Sequence, residues 1–205
     1  MMSFIISFLS GFALSASLIV AIGAQNLFVL RQGLKKEHVG PVVLFCGFSD
    51  AVLIIAGVSG MGALLGAFPQ VAKGFTLAGA AFLFWYGVRA LRQAMRTESM
   101  TVAHGASVSL PKALASVAAF TWLNPHVYLD TVLLMGTAST AQPVPLRPFF
   151  AVGAASASFL WFGALGYGAR LLQPLFATPK SWKLLDIVIG CVMLFLAALL
   201  LRQVR

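Results

Sequence analysis

The sequence predicts an all-α polytopic membrane protein with six transmembrane helices arranged as two inverted three-helix repeats. Three observations lead to this prediction: the composition, the lengths of the apolar segments and the placement of Lys and Arg. Of the 205 residues, 60% are hydrophobic and only 9% are charged, and the mean hydropathy is +0.95. Because a water-soluble domain carries about 25% charged residues, most of this surface must face lipid. The composition therefore excludes a soluble enzyme, a nucleic-acid-binding module and a disordered chain.

Six apolar segments appear when the chain is divided at its charges and prolines. Each reaches the length of about 20 residues that an α-helix needs to cross a bilayer. They cover approximately residues 4–30, 40–66, 71–93, 112–140, 147–172 and 182–202. The first and fourth segments exceed one crossing, so we expect them to be tilted, broken or partly re-entrant. A five-span arrangement, in which one long segment folds back on itself, is the alternative.

The net charge of +9 is interpreted as a topology signal. Lys and Arg concentrate in the first, third and fifth connections, whereas the second and fourth carry only Lys73 and Arg147. Connections rich in Lys and Arg remain in the cytoplasm, so six spans place both termini outside. Arg202 and Arg205 at the C-terminal end count against this orientation.

A weak internal repeat suggests that the two halves are related. Asn26 in the first segment corresponds to Asn124 in the fourth, and residues 48–50 correspond to residues 155–158. Since each half has three spans, the second half must enter the membrane from the opposite side, as in many secondary transporters. The expected organisation is one transmembrane domain over residues 1–205, with repeat one at about 1–95, a cytoplasmic loop at about 96–111 and repeat two at about 112–205.

Two carboxylates lie well inside predicted spans, Asp50 in the second segment and Asp130 in the fourth. A charged side chain at the bilayer centre costs about 2.5–3.5 kcal/mol. No Lys or Arg lies at mid-depth in any segment to compensate for it. We interpret both aspartates as groups that bind a cation or carry a proton. Asp186 lies near Lys183 at a helix end, where an interfacial ion pair accounts for it.

Two sites in the apolar segments predict helix breaks. Gly23 with the amides Gln25 and Asn26 interrupts the first segment, and Asn124-Pro125 interrupts the fourth by removing a backbone donor. Broken backbone at membrane depth is tolerated where it lines a cavity, and the N-terminus of a half-helix attracts anions. We therefore predict that the three amides form a seat for a carboxylate. An ordinary proline kink with amides bonded to neighbouring helices is the alternative.

Other chemically active residues are sparse. His126, beside the second break, is a candidate proton relay. Cys46 lies four residues before Asp50 on the same helix face, but without further Cys or His there a soft-metal site is not predicted. Ser-x-x-x-Lys, His-Glu-x-x-His and P-loop motifs are absent from the sequence. We expect no enzyme activity, no cofactor and no bound metal.

Residues 22–33, 48–50 and 121–130 resemble the lysine/arginine exporter family, LysE type. The most specific string is Thr-Trp-Leu-Asn-Pro, which begins at Thr121 and is followed by Tyr-Leu-Asp ending at Asp130. The resemblance extends almost end to end and includes residues 155–162. The first family motif usually reads Gly-Pro-Gln-Asn, whereas Ala24 occupies the proline position in this chain. This departure concerns the sharpness of the first break and leaves the amides in place.

The resemblance implies an inner-membrane exporter of arginine, lysine or close analogues, driven by the proton motive force. A basic amino acid presents one anion and two cations, which two aspartates and helix-end donors would complement. The expected partners are this substrate, protons and the lipid bilayer, without nucleic acid. Whether protomers pair as a homodimer is left open. Export of neutral amino acids, or of a soft divalent metal such as cadmium, is the alternative function.

Overall fold

The chain forms helices and no strands over the residues that the structure describes. The computed structural model describes residues 2–20, 23–60, 69–96, 108–176 and 178–203. The end of the predicted second segment and most of the predicted cytoplasmic loop lie outside these residues, at 61–68 and 97–107.

The described residues in the first half of the chain form four helices. The first predicted segment forms two of them, because the helix that begins the chain ends before Gly23 and a second one starts after it. The link to the third helix is short, and Lys36 and His38 both adopt left-handed backbone conformations in it. The helices are α1 (Met2–Ile19), α2 (Ala24–Lys35), α3 (Val39–Val58) and α4 (Pro69–Arg96).

The second half begins with a segment that is interrupted twice. The fourth predicted segment consists of a helix, a break, a short helix, a π-helical stretch and a final short helix. These pieces are α5 (Leu110–Trp122), α6 (Pro125–Val127), the π-helix (Tyr128–Leu134) and α7 (Met135–Ser139). Two long helices follow, α8 (Arg147–Gly168) and α9 (Pro179–Gln203), with 3-10 turns at Val144–Leu146 and Ala169–Phe176.

Four stretches of the described residues are long and apolar enough to cross a membrane by length and composition. They are Met2–Ile19, Val39–Val58, Val144–Phe176 and Pro179–Arg202. The broken fourth segment is not among them, because none of its pieces reaches the length of a span. The structure thus gives an all-helical protein with four candidate spans, and the six-span arrangement remains a prediction.

Helix α3 carries its polar residues inward and exposes a row of large apolar residues on its outer face. Leu44, Phe48 and Val52 recur every four residues on the exposed face. Cys46 and Asp50 are buried on the opposite face. This arrangement is the reverse of a helix on a water-soluble protein, and it suits a helix whose outer face contacts lipid.

Glycines bring the helices into close backbone contact. Helix α1 packs on α8, and a Cβ on Gly11 would lie 2.0 Å from the Phe150 carbonyl oxygen. Helix α3 packs on the interrupted fourth segment, where Gly57 approaches Gly136 in the same way. Helix α4 packs on α9. Small residues allow such close approach, on which helix association in membranes depends.

The glycine contacts predict a position-specific effect on stability. In Gly153→Ala the new methyl group would meet the Phe8 carbonyl oxygen at 2.0 Å, so we expect a loss of about 1–3 kcal/mol. Gly163→Ala, on the same helix, is the matched control because no atom lies within 4 Å of its Cβ position. Thermal unfolding of both variants in detergent measures the difference. Equal melting temperatures would show that the α1–α8 packing does not depend on this contact.

Candidate functional site

The first helix break is held together by Asn26. Helix α1 ends at Ile19 and α2 begins at Ala24, with Gly23 between them in an extended conformation. The Asn26 Nδ2 donates to the Ile19 carbonyl oxygen at 2.8 Å. The Trp161 indole Nε1 on α8 donates to the Asn26 Oδ1 at 3.3 Å. Asn26 therefore caps the end of α1 and ties the break to α8.

The second break has a similar arrangement of side chains. Asn124 precedes Pro125 in an extended conformation, and its Oδ1 accepts a hydrogen bond from the His126 backbone N–H at 3.1 Å. The Tyr128 hydroxyl donates to the Trp122 carbonyl oxygen at 2.7 Å. Asn124 thus caps the helix that follows the break, and Tyr128 satisfies a carbonyl at the end of α5.

A buried polar cluster, the Asp50 cluster, lies where α2, α3 and α8 meet. It consists of Gln25, Cys46, Asp50 and Ser158. Asp50 is only 5% exposed, and the Ser158 hydroxyl faces its carboxyl group. The Cys46 thiol, one turn before Asp50, lies near both Asp50 and Gln25. Ser158 belongs to residues 155–158, the sequence counterpart of residues 48–50 in the proposed repeat, and it lies beside Asp50 in the structure.

Two polar atoms of the Asp50 cluster lack hydrogen-bond partners among the described residues. They are the Gln25 Nε2, a donor, and the Ser158 Oγ, which can donate or accept. A buried polar group without a partner costs about 1–3 kcal/mol. Such groups are suited to receive a ligand, because the ligand supplies the missing hydrogen bonds. Of the three amides that the sequence points to, Gln25 is therefore the one whose buried N–H donor is available to a ligand.

The second break is connected to α3 beside Asp50. The Trp122 indole Nε1 donates to the Ser49 Oγ at 3.3 Å, and Ser49 is the residue next to Asp50. The first break contacts α8 through Trp161, and α8 also carries Ser158. Both breaks are therefore linked to helices that form the Asp50 cluster.

Asp130 is not a member of the Asp50 cluster. It is half-buried on the π-helix, and His126 lies near it. Among the described residues no interaction joins Asp130 to Asp50. The structure thus brings together Asp130 and His126 in one place, and Gln25 and Asp50 in another.

Asp186 forms an ion pair that sequence reasoning missed. Its Oδ1 lies 2.9 Å from the Arg31 Nη2, and both side chains are largely buried. The predicted interfacial pair with Lys183 is wrong, because the carboxyl of Asp186 on α9 points to α2. No pattern in the sequence could identify a partner 155 positions away in the chain.

Within the described part of the chain, no group of three or more His, Cys, Asp and Glu side chains is close enough to hold a metal ion. Cys46 and Asp50 are neighbours, but two ligands fall short of the usual four of a structural soft-metal site.

A sequence profile of the LysE type translocators matches residues 16–204. The chain belongs to this family. The arginine exporter protein ArgO of Yersinia enterocolitica is 43% identical to it over 197 residues, 96% of each chain. The arginine exporter protein ArgO of Escherichia coli K12 is 40% identical over 197 residues, which are 96% of this chain and 93% of that one. No solved structure matches.

Family membership settles the broad class of this LysE type translocator. It is a transporter and not an enzyme, as the sequence predicted. Together with the four apolar helices, the family also indicates a multi-pass membrane protein.

Removal of the Asn26 amide is expected to destabilise this LysE type translocator. Asn26→Ala leaves the Ile19 carbonyl and the Trp161 indole without their partners, at a cost of about 1–2 kcal/mol in a membrane protein. Ser17→Ala is the control, because the Ser17 hydroxyl only donates to the Leu14 carbonyl of its own helix. Chemical unfolding in micelles measures both. Equal unfolding midpoints would contradict the role of Asn26 in holding the break.

The ion pair between Arg31 and Asp186 predicts a recoverable loss of stability. Asp186→Asn leaves a buried Arg31 cation without its partner, which costs about 3 kcal/mol or more. The double variant Arg31→Gln/Asp186→Asn removes both charges and should regain most of that stability. Thermal unfolding of the two variants tests this. A double variant as unstable as Asp186→Asn would mean that packing, and not charge, is lost.

Proposed function

We propose that the protein is a secondary active exporter of basic L-amino acids, arginine or lysine, across the inner membrane in exchange for protons. In this proposal, the Asp50 cluster is the site where substrate and proton compete. Loops rich in Lys and Arg face the cytoplasm, as the charge distribution of the sequence predicts.

The observation that carries the proposal is the isolation of Asp50. Its carboxyl group is buried, and no basic side chain among the described residues forms an ion pair with it. The ion pair that the structure describes involves Asp186 instead. A buried carboxylate without a counter-charge is costly, so Asp50 must either be protonated or hold a cation. These two states are what an exchanger of protons for cations requires.

The remaining groups of the Asp50 cluster suit the other end of an amino acid. Gln25 lies in the first turn of α2, and the N-terminus of a helix attracts a carboxylate. Its buried Nε2 is available as a donor. A basic amino acid would place its carboxylate toward Gln25 and a cationic group toward Asp50. The Ser158 hydroxyl would form a hydrogen bond with either the substrate or the Asp50 carboxyl group.

Electrical work explains the need for exchange. Moving one positive charge outward against an inside-negative potential costs about 2.3 kcal/mol per 100 mV. Export of an arginine cation alone would therefore run backwards. Exchange of one cation for one proton moves no net charge and allows the proton gradient to drive export. Because both cations use the same carboxyl group, the site carries either the substrate or a proton on each passage, and this competition couples the two flows.

The names of the relatives support the choice of substrate. Two chains that this one matches over nearly its full length are named arginine exporter proteins. The Asp50 cluster offers an anion for the basic side chain of such a substrate. A neutral amino acid carries one cation, its α-ammonium group, and would leave one of the two aspartates, Asp50 or Asp130, without a cationic partner.

We propose that the chain consists of two inverted repeats, because helices of the first half pack on the corresponding helices of the second half in a reciprocal way. The first segment packs on α8 and the fourth packs on α3, through Gly11 and Gly57 respectively. Helices α4 and α9, the last of each half, pack on each other through Gly87 and Gly190. Such reciprocal pairing is expected when the halves are related by a twofold axis in the membrane plane.

The other predicted residues receive supporting roles in this proposal. Asn26 and Asn124 stabilise the helix ends at the two breaks through their hydrogen bonds. Asp130 and His126 form a second binding site for the cation or the proton, which is more exposed than the Asp50 cluster. Gly23 and Pro125 allow the helices to be broken at these places.

The test of the proposal is proton movement in vesicles that contain the purified protein. In the wild type, arginine added on one side should drive a pH change that a trapped dye detects. Asp50→Asn should abolish both arginine flux and the pH change, because its amide neither exchanges a proton nor pairs with a cation. Asp130→Asn should require more arginine but keep the coupling. Threonine should give no signal.

A matched pair of serines on α8 controls for general damage to the fold. Ser158→Ala should slow exchange several-fold, since its hydroxyl faces Asp50. Ser156→Ala should transport as the wild type does, since the Ser156 hydroxyl donates to the Val152 carbonyl of its own helix. Arginine-dependent proton movement at the wild-type rate in Asp50→Asn would refute the proposal.

A further inference from the structure

A cavity with a volume of about 700 Å³ lies between α2, α4 and α5. None of the four residues of the Asp50 cluster lines it. Its basic lining consists of Arg31, Lys35, Arg89 and Lys112. Among the described residues that line it there is no carboxylate. We call this space the basic cavity.

The deeper wall of the basic cavity is aromatic. Phe28, Phe82 and Tyr86 line it and pack around the buried Phe120, with ring centroids 4.9–5.5 Å from that ring. Trp85 also lines the cavity and is 54% exposed. The cavity therefore combines a basic lining, exposed at Arg89 and Lys112, with a largely buried aromatic wall.

The charges of the basic cavity are only partly compensated. Arg31 is paired with Asp186. The Arg89 guanidinium lies 5.6 Å from the centre of the Trp85 ring, and neither Arg89 nor Lys112 has a carboxylate partner among the described residues. Like charges that share a partly apolar cavity repel one another. A bound anion would remove that repulsion.

A buried hydrogen-bond acceptor in the basic cavity indicates a further chemical group of the ligand. Gln32 lines the basic cavity, is only 2% exposed, and its Oε1 accepts no hydrogen bond from the described residues. A ligand with a hydroxyl group could supply the missing donor. The complementary molecule therefore has an anionic group, a hydroxyl group and an apolar part.

The transported substrate fits the basic cavity poorly. The net positive lining of the basic cavity repels a basic amino acid, and the described lining offers no carboxylate for it. The basic residues come from the first and third connections and their flanking helix ends, which the sequence places at the cytoplasmic face. Basic pockets between helices at that face are typical sites for phosphate headgroups of anionic lipids.

We propose that the basic cavity binds the headgroup of an anionic glycerophospholipid from the cytoplasmic leaflet. Arg89 and Lys112 contact the phosphate, a headgroup hydroxyl donates to Gln32, and the lipid backbone lies along the aromatic wall. This proposal does not depend on the role of Asp50.

The test is a lipid titration of the full-length protein in neutral detergent. Phosphatidylglycerol should raise the melting temperature of the wild type in a saturable way, and phosphatidylcholine should not. In Arg89→Gln/Lys112→Gln the apparent affinity for phosphatidylglycerol should fall about 30-fold, since each basic side chain contributes about fivefold. Arg89→Lys/Lys112→Arg keeps both charges and should bind within a few-fold of the wild type.

Controls separate the cavity from general surface charge. Arg92→Gln removes a charge from the same helix at an exposed position that does not line the cavity, and it should bind as the wild type does. If Arg89→Gln/Lys112→Gln does not fold, Lys112→Gln alone should bind about fivefold more weakly, because Lys112 is exposed and tolerates substitution. Equal affinity in the neutralised variant and the wild type would overturn the proposal.

A parallel titration with sodium phosphate identifies the source of the anion. In detergent without anionic lipid, phosphate should stabilise the wild type only weakly, since it cannot use the aromatic wall. Stabilisation by phosphate as strong as that by phosphatidylglycerol, and lost in Arg89→Gln/Lys112→Gln, would overturn the lipid assignment in favour of a soluble anion.

Discussion

Inside a bilayer, a polar group has to find its partner within the protein, because neither water nor lipid tails can supply one. Two broken helices make this constraint severe, since each break frees backbone groups at depth. At the first break the Asn26 side chain donates a hydrogen bond to the Ile19 carbonyl, and at the second the Tyr128 hydroxyl donates to the Trp122 carbonyl. Once these carbonyls have partners, the buried polar atoms that still lack one, the Gln25 Nε2 and the Ser158 Oγ, are candidate sites for a ligand that binds and dissociates.

The three amides illustrate how similar residues acquire different tasks. Asn26 uses both ends of its side chain to hold the first break, and Asn124 uses its oxygen to cap the helix after the second. Gln25, next to Asn26, reaches the other side of α2 and lies beside Cys46. Neighbouring positions on a helix point about 100° apart, so one residue can serve the architecture while the next serves a ligand.

The sequence allowed the local features to be predicted and missed those formed by distant residues. The interruptions near Gly23 and Asn124, and the burial of Asp50 on one face of α3, follow from residue types within a few turns of helix. The pairing of Arg31 with Asp186 and the clustering of Arg89 with Lys112 do not, because they depend on how separate helices pack. Positive residues read as a topology signal also line a cavity, and charge counting alone could not reveal it.

The joint between α1 and α2 has a mechanical consequence. In an unbroken helix, several backbone hydrogen bonds connect each turn to the next, and bending it means breaking them. Here the Asn26 side chain donates across the gap to the Ile19 carbonyl. A change in the angle between α1 and α2 would leave the backbone ladders of both helices intact. It would instead have to break side-chain contacts of α2, among them the Trp161–Asn26 hydrogen bond and the Arg31–Asp186 ion pair, so these contacts contribute to the cost of moving Gln25 at the tip of α2.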